Sequence, residues 1–162
     1  MVGLKYGTNN ITFIPSDLYG PGDDYNPETG HVVSAFIARM HEAKVKNQKE
    51  FIVWGTGAPR REFLYVDDFV DACIFLMNTY SSSEPVNIGF GEDISIKELT
   101  TLMKPIIGYG GDIILDISRP DGMPRKLLDS TKIRKMNWVP KISLEKGIKE
   151  SYKWYKDLIS VR

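Results

Sequence analysis

The fold is decided by residues 11–30, ITFIPSDLYGPGDDYNPETG, in which a β-branched and aromatic run stops at a proline and a turn-rich loop follows. Residues 11–15 predict a buried strand. The loop at residues 19–30 is too long for a tight turn, which indicates a binding loop. Apolar residues then recur at helical spacing and predict an amphipathic helix over residues 31–43.

The rest of the chain continues this alternation. Further strands are predicted at 51–54, 62–66, 86–89 and 112–116, and further helices at 69–77, 95–106, 130–136 and 143–159. Asp67 or Asp68 is expected to cap the second helix, and Ser95 with Glu98 has capping-box spacing. The order predicts an α/β (mixed α+β) fold, with residues 1–162 forming a single domain.

Composition excludes several functional classes. Lys plus Arg and Asp plus Glu both number 21, so no net charge favours nucleic acid or an anionic membrane. No run approaches the roughly 20 apolar residues that a membrane span needs, and residues 1–10 have no apolar signal region. Cys73 is the only cysteine, which excludes an internal disulfide and predicts a cytoplasmic protein.

A complete dinucleotide site is not encoded in this sequence. Such a site needs Gly-x-Gly-x-x-Gly between a strand and a helix, and no segment has this pattern in that context. Tyr152 and Lys156 have Tyr-x-x-x-Lys spacing, but Tyr152 lies on the apolar stripe of the last predicted helix. We therefore interpret Tyr152 as a core residue. His41 is likewise interpreted as structural.

Several loops carry unusual residues in a fixed order: SDLYGPGD at 16–23, VWGTGAPRREFLYVDD at 53–68 and VNIG at 86–89. This series resembles the second half of an extended short-chain dehydrogenase/reductase. Three further segments, NPETGHV at 26–32, RMHEA at 39–43 and PDGMPRKLLD at 120–129, resemble GDP-L-fucose synthases more narrowly. The resemblance runs from about Tyr6 to Tyr155.

The resemblance implies a C-terminal substrate-binding portion of an extended Rossmann-type NAD(P)-binding fold. Residues of about 11–18 and 86–89 would be strands of an incomplete nucleotide-binding sheet, and the N-terminal dinucleotide-binding half would lie outside residues 1–162. The strand edges would then expose apolar surface, which invites association. An N-terminal NADPH-binding partner chain and a homodimer are both expected partners, and the chain alone is expected to be inactive.

The family reaction that the resemblance implies is epimerisation of GDP-4-keto-6-deoxy-D-mannose at C3 and C5, followed by NADPH reduction at C4. The C4 ketone acidifies the neighbouring C–H bonds, so an acid–base pair can exchange those protons. The family base is a cysteine of the absent half, and the acid corresponds to His31. Imidazole suits this role because it exchanges protons near neutral pH.

Other site residues follow from the same resemblance. The positions that match the family's substrate contacts are Arg39, Trp54, Arg61, Asp121 and Lys126, and those that match its NADP(H) contacts are Pro15, Ser16, Asp17, Leu18 and His31. No metal is expected. Asp17 departs from the family's Asn, and its negative charge is expected to favour oxidised nicotinamide. Trp54 could otherwise be a core residue, and Arg60 is expected to be solvated.

Other functions remain open at this point. The chain could belong to another nucleotide-sugar epimerase or dehydratase that acts on a UDP- or dTDP-hexose, or it could be a non-catalytic nucleotide-sugar-binding module. A purely structural protein would explain none of the clustered loop residues.

Overall fold

Strands and helices alternate through residue 8 and residues 10–161, which are the residues that the computed structural model describes. The strands are β1 (Phe13–Pro15), β2 (Asp17–Tyr19), β3 (Glu50–Trp54), β4 (Arg60–Arg61), β5 (Phe63–Tyr65), β6 (Val86–Ile88), β7 (Ile94–Ser95), β8 (Asp112–Asp116) and β9 (Arg125–Lys126). The helices are α1 (Val32–Val45), α2 (Val66–Thr79), α3 (Ile96–Ile107), α4 (Thr131–Lys135) and α5 (Leu144–Ser160). The predicted α/β class is confirmed. Tyr6, where the family resemblance begins, lies outside the described residues.

The sheets are small: three are parallel pairs and one has three strands. β1 pairs with β6, β2 with β5 and β3 with β8, all in parallel, while β4 lies between antiparallel β7 and parallel β9. The strand expected at residues 11–18 is divided at Ser16. The Ser16 N–H donates to the Ile88 carbonyl at 3.0 Å, and the next N–H, that of Asp17, donates to the Glu62 carbonyl at 3.2 Å. The backbone thus changes partner strands at this point.

Two apolar clusters form the core. The larger packs α1, α3 and α5 against β3 and β5, and its fully buried members include Ile37, Met40, Leu99, Met103 and Ile148. The smaller packs α2 and α4 against β5 and β6, and its buried members are Leu64, Ala72, Leu76, Val86, Ile88, Ile133 and Trp138. Because α1 touches the larger cluster along its length, its first residue is held at a fixed place on the surface.

Helix α3 follows the sequence prediction closely. Ser95 Oγ accepts the Glu98 N–H at 3.1 Å, and Glu98 Oε2 accepts the Ser95 N–H at 2.9 Å, so the predicted capping box is confirmed. Gly108 ends the helix in the left-handed region, at φ 72°. Glycine tolerates this conformation because it has no Cβ.

The prediction for the start of α2 is wrong. Tyr65 is the N-cap residue and makes no side-chain cap, so Asp67 and Asp68 lie within the first turn. The buried Asp68 carboxylate instead accepts the N–H groups of Lys141, at 3.1 Å, and Ile142, at 2.8 Å. It fastens the segment before α5 to the start of α2.

Strand β1 is more exposed than expected. Ile14 and Pro15 are exposed, because among the described residues β1 has a strand neighbour on one edge only. The interpretation of Tyr152 as a core residue is confirmed, since its ring is buried in the larger cluster. Its hydroxyl lies 3.0 Å from His41 Nδ1, which gives His41 a structural contact.

None of the helices in the described part of the chain combines the length and apolarity that crossing a membrane requires.

Candidate functional site

Three cavities adjoin the start of α1 and the loop before β9. Cavity A, of about 400 Å³, lies under residues 16–23 and is bounded by His31 and Val66. Cavity B, of about 200 Å³, lies between α1, the end of β3 and residues 121–122. Cavity C, of about 270 Å³, lies between residues 15–17, Glu62 and residues 123–128. His31, which lines cavity A, and Val32, which lines cavity B, are consecutive residues, and cavities A and C share Ser16 and Asp17.

His31 stands at the mouth of cavity A as the N-cap residue of α1. Its side chain makes no cap hydrogen bond and is 83% exposed, so it is available to a ligand. Nδ1 lies 3.4 Å from Asp23 Oδ1. Because both nitrogens of a protonated imidazole donate, a ring oriented by Asp23 through Nδ1 presents Nε2 as the nitrogen that can deliver a proton.

Asp23 is held in place by several donors. Its Oδ1 accepts the Asp24 N–H at 2.8 Å, its Oδ2 accepts the Ser34 hydroxyl, and its side chain is only 16% exposed. The sequence analysis did not single out Asp23. The only signal was its place in the turn-rich loop, eight residues before His31.

The structure places four of the five expected substrate residues around cavity B: Arg39, Trp54, Arg61 and Asp121. Arg39 Nη2 donates to the Ile52 carbonyl at 2.6 Å, and the guanidinium lies 5.0 Å from the centre of the Phe51 ring. Burial lowers the pKa of Arg39 from its ordinary value. The guanidinium is therefore fixed at the cavity wall by a carbonyl and an aromatic face.

The other three residues contribute different surfaces. Trp54 is 67% exposed, so the core alternative for Trp54 is wrong. Arg61 Nη1 donates to the carbonyls of Arg60, at 2.8 Å, and Met123, at 2.7 Å, which leaves further N–H groups of the five that a guanidinium carries. The Asp121 carboxylate accepts the N–H of Thr56 at 2.8 Å and its hydroxyl at 2.7 Å. Asp121 thereby closes the cavity against the turn after β3.

Lys126 does not join this group. It lines cavity C together with Pro15, Ser16 and Asp17, which are three of the expected cofactor residues. The other expected cofactor residues, Leu18 and His31, line cavity A, where Ser16 and Asp17 also lie. The structure thus places four of the expected substrate residues at cavity B. Lys126 and the expected cofactor residues lie at cavities A and C, which share residues 16 and 17.

The model of the NAD dependent epimerase/dehydratase family matches residues 2–89. The chain belongs to that family. Of the curated relatives, probable GDP-L-fucose synthase 1 of Oryza sativa subsp. japonica is 51% identical over 160 residues, covering 98% of this chain and 49% of the relative. GDP-L-fucose synthase 1 of Arabidopsis thaliana is 48% identical over 152 residues, covering 94% and 47%.

A solved structure of a GDP-L-fucose synthetase is also similar to this epimerase/dehydratase-family chain. The GDP-L-fucose synthetase from Naegleria fowleri bound to NADP superimposes with a TM-score of 0.90 and 28% identity, covering 98% of this chain and 51% of that one. The chain therefore spans about half the length of the relatives it matches.

The hydroxyl of Ser16 shows whether the β1–β2 junction fits a cofactor. Ser16 Oγ is buried and has no hydrogen-bond partner among the described residues, and Ser16 lines both cavity A and cavity C. A buried hydroxyl without a partner is costly. A polar group of a dinucleotide placed between the two cavities would satisfy it, so the residues at the β1–β2 junction fit such a ligand.

Glu62 is a second residue that the sequence analysis did not assign to the site. It is 2% exposed, and its Oε1 and Oε2 accept the N–H groups of Gly91, at 2.6 Å, and Leu128, at 3.0 Å. Its only sequence signal was its place in the segment Arg-Glu-Phe.

Arg60, which was expected to be solvated, has a 41% exposed side chain that also pairs with two acidic residues. Its Nε donates to Asp93 Oδ1 at 2.6 Å, and its Nη1 lies 3.2 Å from Glu98 Oε2. Both partners lie more than 30 residues away along the chain, so neighbouring sequence could not indicate them. As for metals, no group of three or more His, Cys, Asp and Glu side chains within residues 10–161 is arranged to hold an ion.

Proposed function

We propose that this chain is the substrate-holding portion of a GDP-L-fucose synthase-type enzyme, with the nucleotide diphosphate in cavity B and the reacting sugar near His31 in cavity A. The observation that carries the proposal is the convergence of Arg39, Trp54, Arg61 and Asp121 on cavity B. The names and the identity of the relatives in Oryza and Arabidopsis support the same class of substrate.

The residues of cavity B suit a nucleoside diphosphate. Arg39 and Arg61 carry forked donors that match phosphate oxygens. The exposed indole of Trp54 offers a flat surface to a base or ribose. Cavity B, at about 200 Å³, is open enough for part of such a ligand, and the sugar would extend past Val32 towards His31.

His31 would serve as the proton donor in the epimerisation. The C4 ketone stabilises the carbanion left when a base removes the proton from C3 or C5, and His31 Nε2 would return a proton to the opposite face. Asp23 would hold the ring in the required orientation. The resemblance assigns the base to the half of the family enzyme that residues 1–162 do not match.

Pro15, Ser16, Asp17 and Leu18, with His31, would hold the nicotinamide end of NADP(H). When bound, NADP(H) supplies the hydride that reduces the C4 ketone. Ser16 would contribute its hydroxyl, which has no hydrogen-bond partner within residues 10–161. Asp17 would bring a carboxylate where the family has an amide.

A chain carrying the NADPH-binding half would complete the enzyme. Helix α2 supports this proposal, because Val70, Ile74 and Met77 form an apolar stripe on its outer face and each is at least 49% exposed. The opposite side of α2 packs on the smaller core cluster, so the helix is apolar on two sides and covered on one. A parallel pair such as β1–β6 is normally buried within a larger sheet, which gives the partner a second point of contact.

The partner proposal is tested by mixing the chain with the N-terminal half of the Oryza relative and measuring the mass of the mixture by light scattering. A complex of the two halves is expected, and Ile74→Lys should weaken it. Lys46→Ala, which alters only an exposed ion pair with Glu42 on α1, is the matched control. Doubling of the mass without the N-terminal half would instead identify a homodimer.

The substrate proposal is tested by titrating the chain with GDP, GDP-mannose, UDP and NADPH in a calorimeter. GDP and GDP-mannose should bind, Arg61→Ala should abolish the signal, and Lys149→Ala on the surface of α5 should leave it unchanged. Equal binding of UDP would favour another nucleotide-sugar enzyme. Binding of GDP without turnover, even with the N-terminal half present, would favour a non-catalytic nucleotide-sugar-binding module. No binding of any ligand would refute the preserved substrate site.

The cytoplasm is the location that goes with this proposal. Cys73, the single cysteine of residues 1–162, is half-buried, and burial raises the pKa of its thiol.

A further inference from the structure

Asp93 is a nearly buried carboxylate at the centre of an ionic cluster beside the candidate site. Its side chain is 6% exposed. Oδ1 accepts Arg60 Nε at 2.6 Å, and Oδ2 accepts Arg125 Nε. Arg60 Nη2 also donates to the Asp93 carbonyl at 2.8 Å, which fixes the direction in which the guanidinium points.

The two arginines are opposite each other on neighbouring strands. Arg60 on β4 pairs in register with Arg125 on β9, so two positive charges would face each other if Asp93 were absent. Like charges directly opposite one another destabilise a strand pair. The pair is only two residues long, and the flanking backbone bonds are those from Arg60 N–H to the Pro124 carbonyl, at 2.8 Å, and from Glu62 N–H to the Lys126 carbonyl, at 3.2 Å. So short a ladder is marginal without side-chain support.

The segment that this cluster secures forms walls of two cavities. Asp121 and Gly122 line cavity B, and residues 123 and 125–128 line cavity C. The Met123 carbonyl also accepts a hydrogen bond from Arg61 Nη1, so a shift of this segment would also move the Arg61 guanidinium at cavity B. We propose that Asp93 is a positioning residue that holds residues 121–128 in the conformation needed for nucleotide-sugar binding, which is an inference that rests on the proposed function.

The physical role is pre-organisation. A loop that is already ordered pays less conformational entropy on binding, and donors already aimed at the ligand need not be rearranged. Asp93→Asn keeps the shape of the side chain but removes the charge that separates Arg60 from Arg125. The free chain should then sample open arrangements of the β4–β9 pair, while the β3–β8 pair, which lacks this cluster, stays closed.

The test combines amide hydrogen exchange with calorimetric titration of the chain with GDP. In Asp93→Asn the amides of Arg60, Glu62 and Leu128 should exchange faster, and those of β3 and β8 should not change. The affinity for GDP should fall about tenfold, the equivalent of one charge-assisted hydrogen bond. The loss of GDP affinity should appear in the binding entropy. A variant that is only less well folded would instead show a smaller fraction of chain able to bind GDP.

A second variant and a control keep the test decisive. Arg125→Gln removes one partner of Asp93 and should reproduce the effect even if Asp93→Asn does not fold. Glu84→Gln removes an exposed ion pair, with Lys132 at 2.8 Å, and Glu84 lines none of cavities A, B and C. It should change neither exchange nor affinity. If the unaltered chain does not bind GDP, the proposed substrate site fails, and the exchange data still decide whether Asp93 holds the segment. Unchanged exchange in both variants, or unchanged GDP affinity despite faster exchange, would overturn the inference.

Discussion

Replacing Glu62 by Gln tests how a buried carboxylate holds the cavity C wall. The two oxygens of Glu62 each accept one backbone N–H, from Gly91 at 2.6 Å and from Leu128 at 3.0 Å. An amide has only one oxygen, so one of these N–H groups must face an NH₂ group. Because the bond to Gly91 is the shorter, we expect the amide oxygen to stay there and the Leu128 N–H to lose its partner.

The magnitude follows from the cost of a buried donor that loses its acceptor. That cost is about 1–3 kcal/mol. Because Glu62 is only 2% exposed, water cannot readily take the place of the lost carboxylate oxygen. A chain of this length loses about 2–4 °C in Tm for each kcal/mol. Glu62→Gln should therefore unfold at a lower urea concentration and at a lower temperature than the unaltered chain.

The assay is urea unfolding followed by circular dichroism at neutral pH, together with amide exchange at Leu128. Glu84→Gln is the control, since its carboxylate is exposed and its loss should leave the unfolding midpoint nearly unchanged. Equal midpoints for Glu62→Gln and the unaltered chain would refute the reasoning, as would a Leu128 amide that stays protected. Either result would mean that the carboxylate is not the acceptor that holds this segment.

Three further predictions concern other parts of the site. Gly55→Ala should destabilise the fold by about 1–3 kcal/mol and weaken GDP binding, because φ is 81° there and a Cβ would clash with Asp121 Oδ1. Gly110→Ala, whose methyl would meet open space, is the control. In an enzyme reconstituted with an NADPH-binding half, Asp17→Asn should speed the reduction of the ketone, followed by NADPH absorbance, because a carboxylate favours oxidised nicotinamide; an unchanged rate would remove support for this effect. Hydrogen bonds, first from Arg125 and then from Arg60, lower the pKa of Asp93 in the folded chain. The ionised Asp93 therefore stabilises the fold above the unfolded pKa of about 3.9, and this contribution is lost as the pH falls through the lower folded pKa. Urea midpoints should accordingly drop less steeply in acid for Asp93→Asn than for the unaltered chain, and parallel acid profiles would contradict the assignment.

The sequence predicted best those elements whose causes are local. The capping box of Ser95 and Glu98 and the terminating Gly108 lie within a few residues of α3, and strand β8 was predicted with its observed bounds. The start of α2 was misjudged because an aspartate near a helix start usually caps it, whereas Asp68 is occupied by backbone groups more than 70 residues away. The strand at residues 11–18 was predicted as one unit because the sequence does not reveal a change of pairing partner at Ser16.

The candidate site likewise has features that the sequence predicted and features that only the structure showed. The amino-acid sequence by itself determined the α/β class, the family and the set of residues from Arg39 to Lys126 that was expected to contact substrate, because ordered motifs record residue identity along the chain. Only the tertiary structure decided that four of those residues share cavity B while Lys126 lines cavity C, that Asp23 faces His31, and that Asp93 joins Arg60 to Arg125. These contacts depend on which strands pair and how loops return to them. Residue patterns within a single segment do not encode that pairing, since its energy comes from contacts between segments that are far apart in the chain.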